Sequence, residues 1–275
     1  MKHKTEQEPA SSRASSGRPV GDPHYRAYVG PEDQYDFMGA TQFRLLCTLG
    51  LRAHHHVLDI GCGSLRAGRL LIPYLQPGGY FGIEPNAYLI EAAFDQELGA
   101  DIRRIKQPTF AHVADFSIPF DGPFDIIVAQ SIYSHTGLPL LRRSVAAIAD
   151  KLAPDGMALV TIVEGPGRAQ AAQWHYPDNV TTRPGDLRAA ARAAGLRAHR
   201  LPWFHPRQAW YLLSHPGAPV PGWWGRRYLK GAVLMDPDFR ASRNPPRRWA
   251  QAAGRWVRLR LPATIKRFAK RLIGR

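Results

Sequence analysis

The chain has 275 residues, 44% of them hydrophobic, which suits one α/β domain with extensions better than two domains. Its net charge of +15 is uneven: residues 1–222 hold 22 Lys/Arg against 20 Asp/Glu, while residues 223–275 hold 15 against 2. Two cysteines, Cys47 and Cys62, exclude a disulfide framework, and neither a signal-peptide pattern nor an apolar run long enough to cross a membrane is present.

Residues 1–22 are polar and read as a disordered tail. Residues 23–216 read as the folded domain, and residues 217–275 as a basic extension. Apolar spacing predicts a helix from Tyr35 to Leu51. The triple histidine 54–56 precedes a strand entry, where three adjacent side chains cannot all face one ion, so no metal site is expected. Val57-Leu58-Asp59-Ile60 is a strand buried on both faces. It runs into the turn Gly61-Cys62-Gly63, and a helix follows over Leu65–Leu75.

A second strand, Tyr80–Ile83, ends in Glu84, and Asn86 caps a helix over Ala87–Leu98. Phe110–Ala114 reads as a third strand ending in Asp115, and Phe124–Ala129 as a fourth ending in Gln130. A helix over Leu138–Leu152 and a fifth strand, Met157–Val163, ending in Glu164, follow. A loop over 165–185 contains Trp174, His175 and Tyr176; then comes a helix over Asp186–Ala194 with Gly195 as its C-cap. Leu196–Trp203 and Gln208–Leu213 are joined by a turn too short for anything but an antiparallel hairpin. The alternation predicts an α/β fold with a doubly wound, mostly parallel sheet of seven strands and that hairpin at its edge. Ligands in such sheets bind beyond the carboxyl ends of the strands, where Asp59, Glu84, Asp115, Gln130 and Glu164 fall.

A strand, a glycine turn and a helix N-terminus make a nucleotide site. A dinucleotide fingerprint would want a third glycine where Arg66 stands. A carboxylate at Asp59 would repel a pyrophosphate, but through an ordered water it can hold the ammonium of an amino acid. Glu84 lies where an acid would hold ribose. A ligand with a nucleoside at one end and an amino acid at the other is S-adenosylmethionine.

On these residues the chain resembles the class I S-adenosylmethionine-dependent methyltransferases, over roughly residues 35–215. The resemblance implies that Asp59, Gly61, Cys62 and Gly63 form the first cofactor motif and that Glu84 accepts both ribose hydroxyls. It also implies that Asp115 and Phe116 contact adenine and that Gln130 completes the cofactor site. The segments GCGSLRAGRLLIPYL, YFGIEPN and AQSIYSH are similar to bacterial methyltransferases of varied substrate. Cys62 reads as a small packing residue rather than a nucleophile.

Methyl transfer to a hydroxyl benefits from a base. His135, just past the fourth strand, is the candidate, with Tyr133 lining the acceptor pocket; the competing reading is a loop histidine holding a backbone carbonyl. Trp174, His175 and Tyr176 read as acceptor-side residues or as a lid. The expected acceptor is a small molecule or glycan. A nucleic-acid substrate is the alternative, although Ala129-Gln130-Ser131-Ile132 lacks the Asn/Asp-Pro-Pro-aromatic sequence of amino-methylating enzymes. A catalytically silent cofactor-binding scaffold is the third reading. In residues 245–275, Trp249, Ala253, Trp256 and Leu259, then Ile265, Phe268 and Leu272, give two cationic amphipathic helices around Pro262. An anionic membrane surface is the first partner they suggest, with nucleic acid, the protein's own core or a second subunit as competitors. The expected location is the cytoplasm, at the inner face of the membrane.

Overall fold

The computed structural model describes residues 17–167, 171–222, 225, 226 and 229. The bulk of the polar tail and the two amphipathic stretches of 245–275 lie outside the described residues. Seven strands form one sheet: β1 Val57–Ile60, β2 Tyr80–Ile83, β3 Thr109–Ala111, β4 Phe124–Ala129, β5 Leu152–Ile162, β6 Arg197–Leu201 and β7 Ala209–Ser214. Their order is β3-β2-β1-β4-β5-β7-β6. β1 to β5 run parallel, and β7 enters antiparallel between β5 and β6. The order reverses direction between β1 and β4, so the crevice beyond their carboxyl ends is the natural ligand site.

Alternation along the strands builds two cores. Leu58, Ile127 and Val160 face one side, under helices α6 (Leu138–Lys151) and α7 (Pro184–Ala193). Val57, Ile126, Val128, Leu159 and Trp210 face the other. There they meet α2 (Tyr35–Thr48), α3 (Gly68–Tyr74) and α4 (Ala87–Ala93). A short α1 (Tyr25–Tyr28) precedes these, and α5 (Ala100–Lys106) follows a single π-turn, Phe94–Leu98, with which the expected helix over Ala87–Leu98 closes.

Several elements differ in their bounds from the sequence reading, β3 among them, which ends at Ala111 rather than Ala114. The helix after the glycine turn starts at Gly68 rather than Leu65, because Ser64 to Ala67 continue the loop and Leu65 takes a left-handed φ of 55°. β5 begins at Leu152: Leu152 pairs with Phe124, and the register then shifts before Ile126 meets Met157. α5 carries no buried residue, so no apolar stripe marks it in the sequence.

Residues 17–22, read as part of the tail, carry specific contacts. Arg18 pairs with Glu32 at 2.8 Å, and the Gly21 N–H donates to the Ala27 carbonyl at 3.1 Å. Glu97 then ties α1 to the core, accepting from Arg26 and, at 3.1 Å, from Arg69. This network holds the segment after α1 over the glycine turn.

Candidate active site

A cleft of about 500 Å³ opens at the carboxyl ends of β1, β2 and β4. Its floor is the glycine turn. Gly61 and Gly63 have φ of 70° and 54°. A Cβ on Gly61 would run into the Ile132 side chain and one on Gly63 into Val29, so the loop can take this course only without side chains there.

Asp59, Gly61, Cys62, Gly63, Glu84 and Gln130 all line the cleft, as the sequence places them. Asp59 is 4% exposed, and its carboxylate accepts from the Tyr80 hydroxyl at 3.1 Å. Burial pushes its pKa up to about 6. Glu84 accepts the Gly63 N–H at 3.1 Å and the Asn86 N–H at 2.9 Å, which fixes the carboxylate at the cleft edge; burial raises its pKa too. Cys62 is buried, and burial drives its thiol well above the ordinary value, as a packing role requires.

Gln130 is 7% exposed, and neither polar atom of its amide has a partner among the described residues. Arg66 also faces the cleft. Its Nη1 donates to the Val29 carbonyl at 2.7 Å, and its buried Nε has no partner among the described residues. Unsatisfied groups of this kind in a cleft are positions that a water or a ligand can fill.

His135 lines the cleft, with its Nδ1 2.8 Å from the Asp178 carbonyl. Only a protonated Nδ1 can serve that carbonyl, which leaves the Nε2 lone pair as the acceptor of the neutral ring. Burial lowers the histidine pKa, so the ring is neutral at pH 7. Holding a backbone carbonyl and serving as a base are therefore compatible.

Three expected residues sit elsewhere. Tyr133 is fully buried under α6, and its hydroxyl meets Ser144 Oγ at 2.8 Å, so it does not line the cleft. Asp115 is exposed and turned onto Ser117, whose N–H and hydroxyl donate to it at 2.9 and 2.7 Å; its neighbour Ala114 lines the cleft instead. Phe116 is buried beside the cleft wall and stacks on Trp174, ring centroids 5.2 Å apart. Of the loop aromatics, Trp174 and Tyr176 line the cleft. Tyr176 donates to the Tyr28 carbonyl, and the two rings lie 5.0 Å apart, closing the cleft from opposite ends of the sequence.

Sequence reasoning did not single out Tyr28–Pro31, Gln42, Arg207 or Gln208, all of which line the cleft. Gln42 carried a signal, as a polar residue on the apolar face of α2, where it is 3% exposed. The triple histidine makes local contacts: Arg52 N–H donates to His55 Nδ1 and His56 N–H to Asp125.

Residues 58–158 match the family model described as a methyltransferase domain. This stretch is similar to methyltransferase domains and has the fold of class I methyltransferases. The chain is 33% identical over 119 residues to the uncharacterized methyltransferase YcgJ of Bacillus subtilis (strain 168), a match that takes in 42% of this chain and 44% of that protein. The chain thus aligns with less than half of that relative's length. Among solved structures, magnesium protoporphyrin IX methyltransferase from Synechocystis PCC 6803, with bound S-adenosylhomocysteine, superposes with a TM-score of 0.51 at 13% identity, covering 67% of this chain and 84% of that one. The sugar N-methyltransferase KedS8 from Streptoalloteichus sp ATCC 53650 superposes at 0.50 and 18% identity, covering 78% and 99%. These likenesses establish the fold, and the cofactor of this class is S-adenosylmethionine.

Proposed function

We propose that the chain is an S-adenosylmethionine-dependent methyltransferase acting on a hydroxyl of a small molecule or glycan. The observation that supports it most is that Asp59 and Arg66 line the same cleft within reach of each other's charge, an acid and a base for the two charges of an amino acid. On this reading Asp59 receives the ammonium and Arg66 the carboxylate. Glu84, preset by Gly63 and Asn86, takes the ribose hydroxyls, and Trp174 and Tyr176 cover the nucleoside. Gln130 faces the junction between the amino-acid end and the acceptor.

The cofactor supplies an electrophilic methyl on a sulfonium, displaced in line with sulfur as leaving group. His135 Nε2 takes the hydroxyl proton as the acceptor oxygen bonds to the methyl carbon, and the Asp178 carbonyl keeps the ring in the tautomer that can do so. His135→Ala should lower turnover by about 10²- to 10⁴-fold and leave S-adenosylhomocysteine affinity within about twofold. Loss of cofactor binding in that variant would assign the histidine a structural role instead.

The second part of the proposal concerns the basic extension. Its apolar stripes with flanking Lys/Arg suit an anionic bilayer, which would hold the enzyme at the inner face of the cytoplasmic membrane. Among the described residues no helix is long and apolar enough to cross a membrane. Flotation with anionic liposomes should carry the full chain and leave behind a chain lacking residues 245–275; equal flotation would sink the idea.

A further inference from the structure

The cleft holds two acids, Asp59 at the end of β1 and Glu84 after β2, and two cations, Arg66 in the loop after β1 and Arg207 in the turn before β7, close enough for Arg207 to act on the Arg66 charge. The cofactor brings one carboxylate, and Arg66, against the glycine turn, is placed for it. Arg207 is a second cation in the cleft, beyond what that one carboxylate calls for.

The turn between β6 and β7 is built to present it. Because β6 runs parallel to β5, this turn lies on the same rim as the carboxyl ends of the parallel strands. His205 Nδ1 accepts the N–H groups of Arg207 at 3.2 Å and Gln208 at 3.0 Å. A protonated ring could not accept them; burial, with the Arg66 and Arg207 charges, holds His205 down to about 3, so the turn stays fixed at working pH. Two consecutive residues thereby reach one wall, which a regular strand would send to opposite faces. Gln208 Nε2 donates to the Ser131 and Ser134 hydroxyls at 3.0 and 3.3 Å, leaving its buried Oε1 without a partner among the described residues. Gln130, with both amide atoms unpartnered in the same sense, lines the same cleft. Arg207 is exposed and one of its Nη groups donates to Gln34 Oε1 at 3.3 Å, so with the buried amide of Gln130 and the buried Oε1 of Gln208 it makes a site for a group carrying both negative charge and hydrogen-bond donors.

We propose that the methyl acceptor is an acid, a small molecule whose carboxylate or phosphate is engaged by Arg207 while a nearby hydroxyl bonds Gln208 and Gln130. This rests on the methyltransferase reading and adds the substrate class to it. The Arg207 contact orients the acceptor and so acts on specificity.

The test uses the full chain saturated with S-adenosylhomocysteine and follows arginine side-chain nitrogen resonances, with the Arg207 signal assigned by its absence in Arg207→Gln. Inorganic phosphate, acetate and neutral acetamide are titrated in turn. The expected result is a saturable shift of the Arg207 signal by phosphate or acetate and none by acetamide; the stronger of the two anions tells phosphate from carboxylate. In matched acceptor pairs with and without the acidic group, Arg207→Gln should erase a preference of about tenfold or more, and Arg207→Lys should restore part of it. An Arg207 signal unmoved by either anion, or moved equally by acetamide, overturns the proposal. Failure of S-adenosylhomocysteine to bind would instead overturn the reading beneath it.

Discussion

The two halves of the cleft are made in different ways. The nucleoside half is built by Asp59 at the end of β1, the turn Gly61 to Gly63 after it, and Glu84 after β2, each fixed by the end of a central parallel strand. The acceptor half is assembled from Gln130, after β4, and from Arg207 and Gln208 in the turn between β6 and β7. The first half has its geometry dictated by the sheet. The second depends on loops that meet only in three dimensions, and loops are where a shared fold varies its substrates.

Substitutions can test whether the halves are as separable as they look. Glu84→Ala should have the largest effect on the nucleoside side, weakening S-adenosylhomocysteine by about 10- to 100-fold in an equilibrium titration. It also removes the partner of the Gly63 and Asn86 N–H groups, so the loss should exceed that of Glu84→Gln. Arg207→Gln should leave the same titration unchanged. Equal losses in both variants would mean the halves are one cooperative unit.

The smallest effect is expected at Tyr133, which the sequence placed in the acceptor pocket. With its hydroxyl on Ser144 in the core, Tyr133→Phe should cost about 1 kcal/mol in denaturant unfolding and leave kcat and KM as they are. A change in KM with unaltered stability would return this side chain to the acceptor site.

Legibility in the sequence divides along the same line. The strand ends were readable because a buried parallel strand is a continuous apolar run and its terminal acid stands out against it, as at Asp59 and Glu84. Asp115 shows where that logic stops. It too follows a strand, but β3 is a three-residue edge strand and the chain turns left-handed at Phe116, so the carboxylate swings onto Ser117. Arg66 was visible only as a missing glycine, since the sequence does not reveal that the loop extends to Ala67 and carries its guanidinium under Val29. Arg207 and Gln208 were hidden because their placement depends on His205 Nδ1 accepting two backbone N–H groups, a contact no residue pattern announces.

The central claim is that Asp59 receives a cationic amino-acid end in this cleft, and proton linkage tests it most directly. Burial raises the Asp59 pKa from 3.8 to about 6. Without cofactor, the group therefore stabilises the fold below its unfolded pKa, and that contribution is lost as pH rises through about 6. An ammonium beside it favours the carboxylate, so binding near pH 6 must release a proton, and affinity must weaken as pH falls through that value. Calorimetric titration of the full chain with S-adenosylmethionine near pH 6, in two buffers of different ionisation enthalpy, should show one-site binding with proton release that Asp59→Asn abolishes. Absence of binding, or binding with no protons exchanged in the wild-type chain, would contradict it.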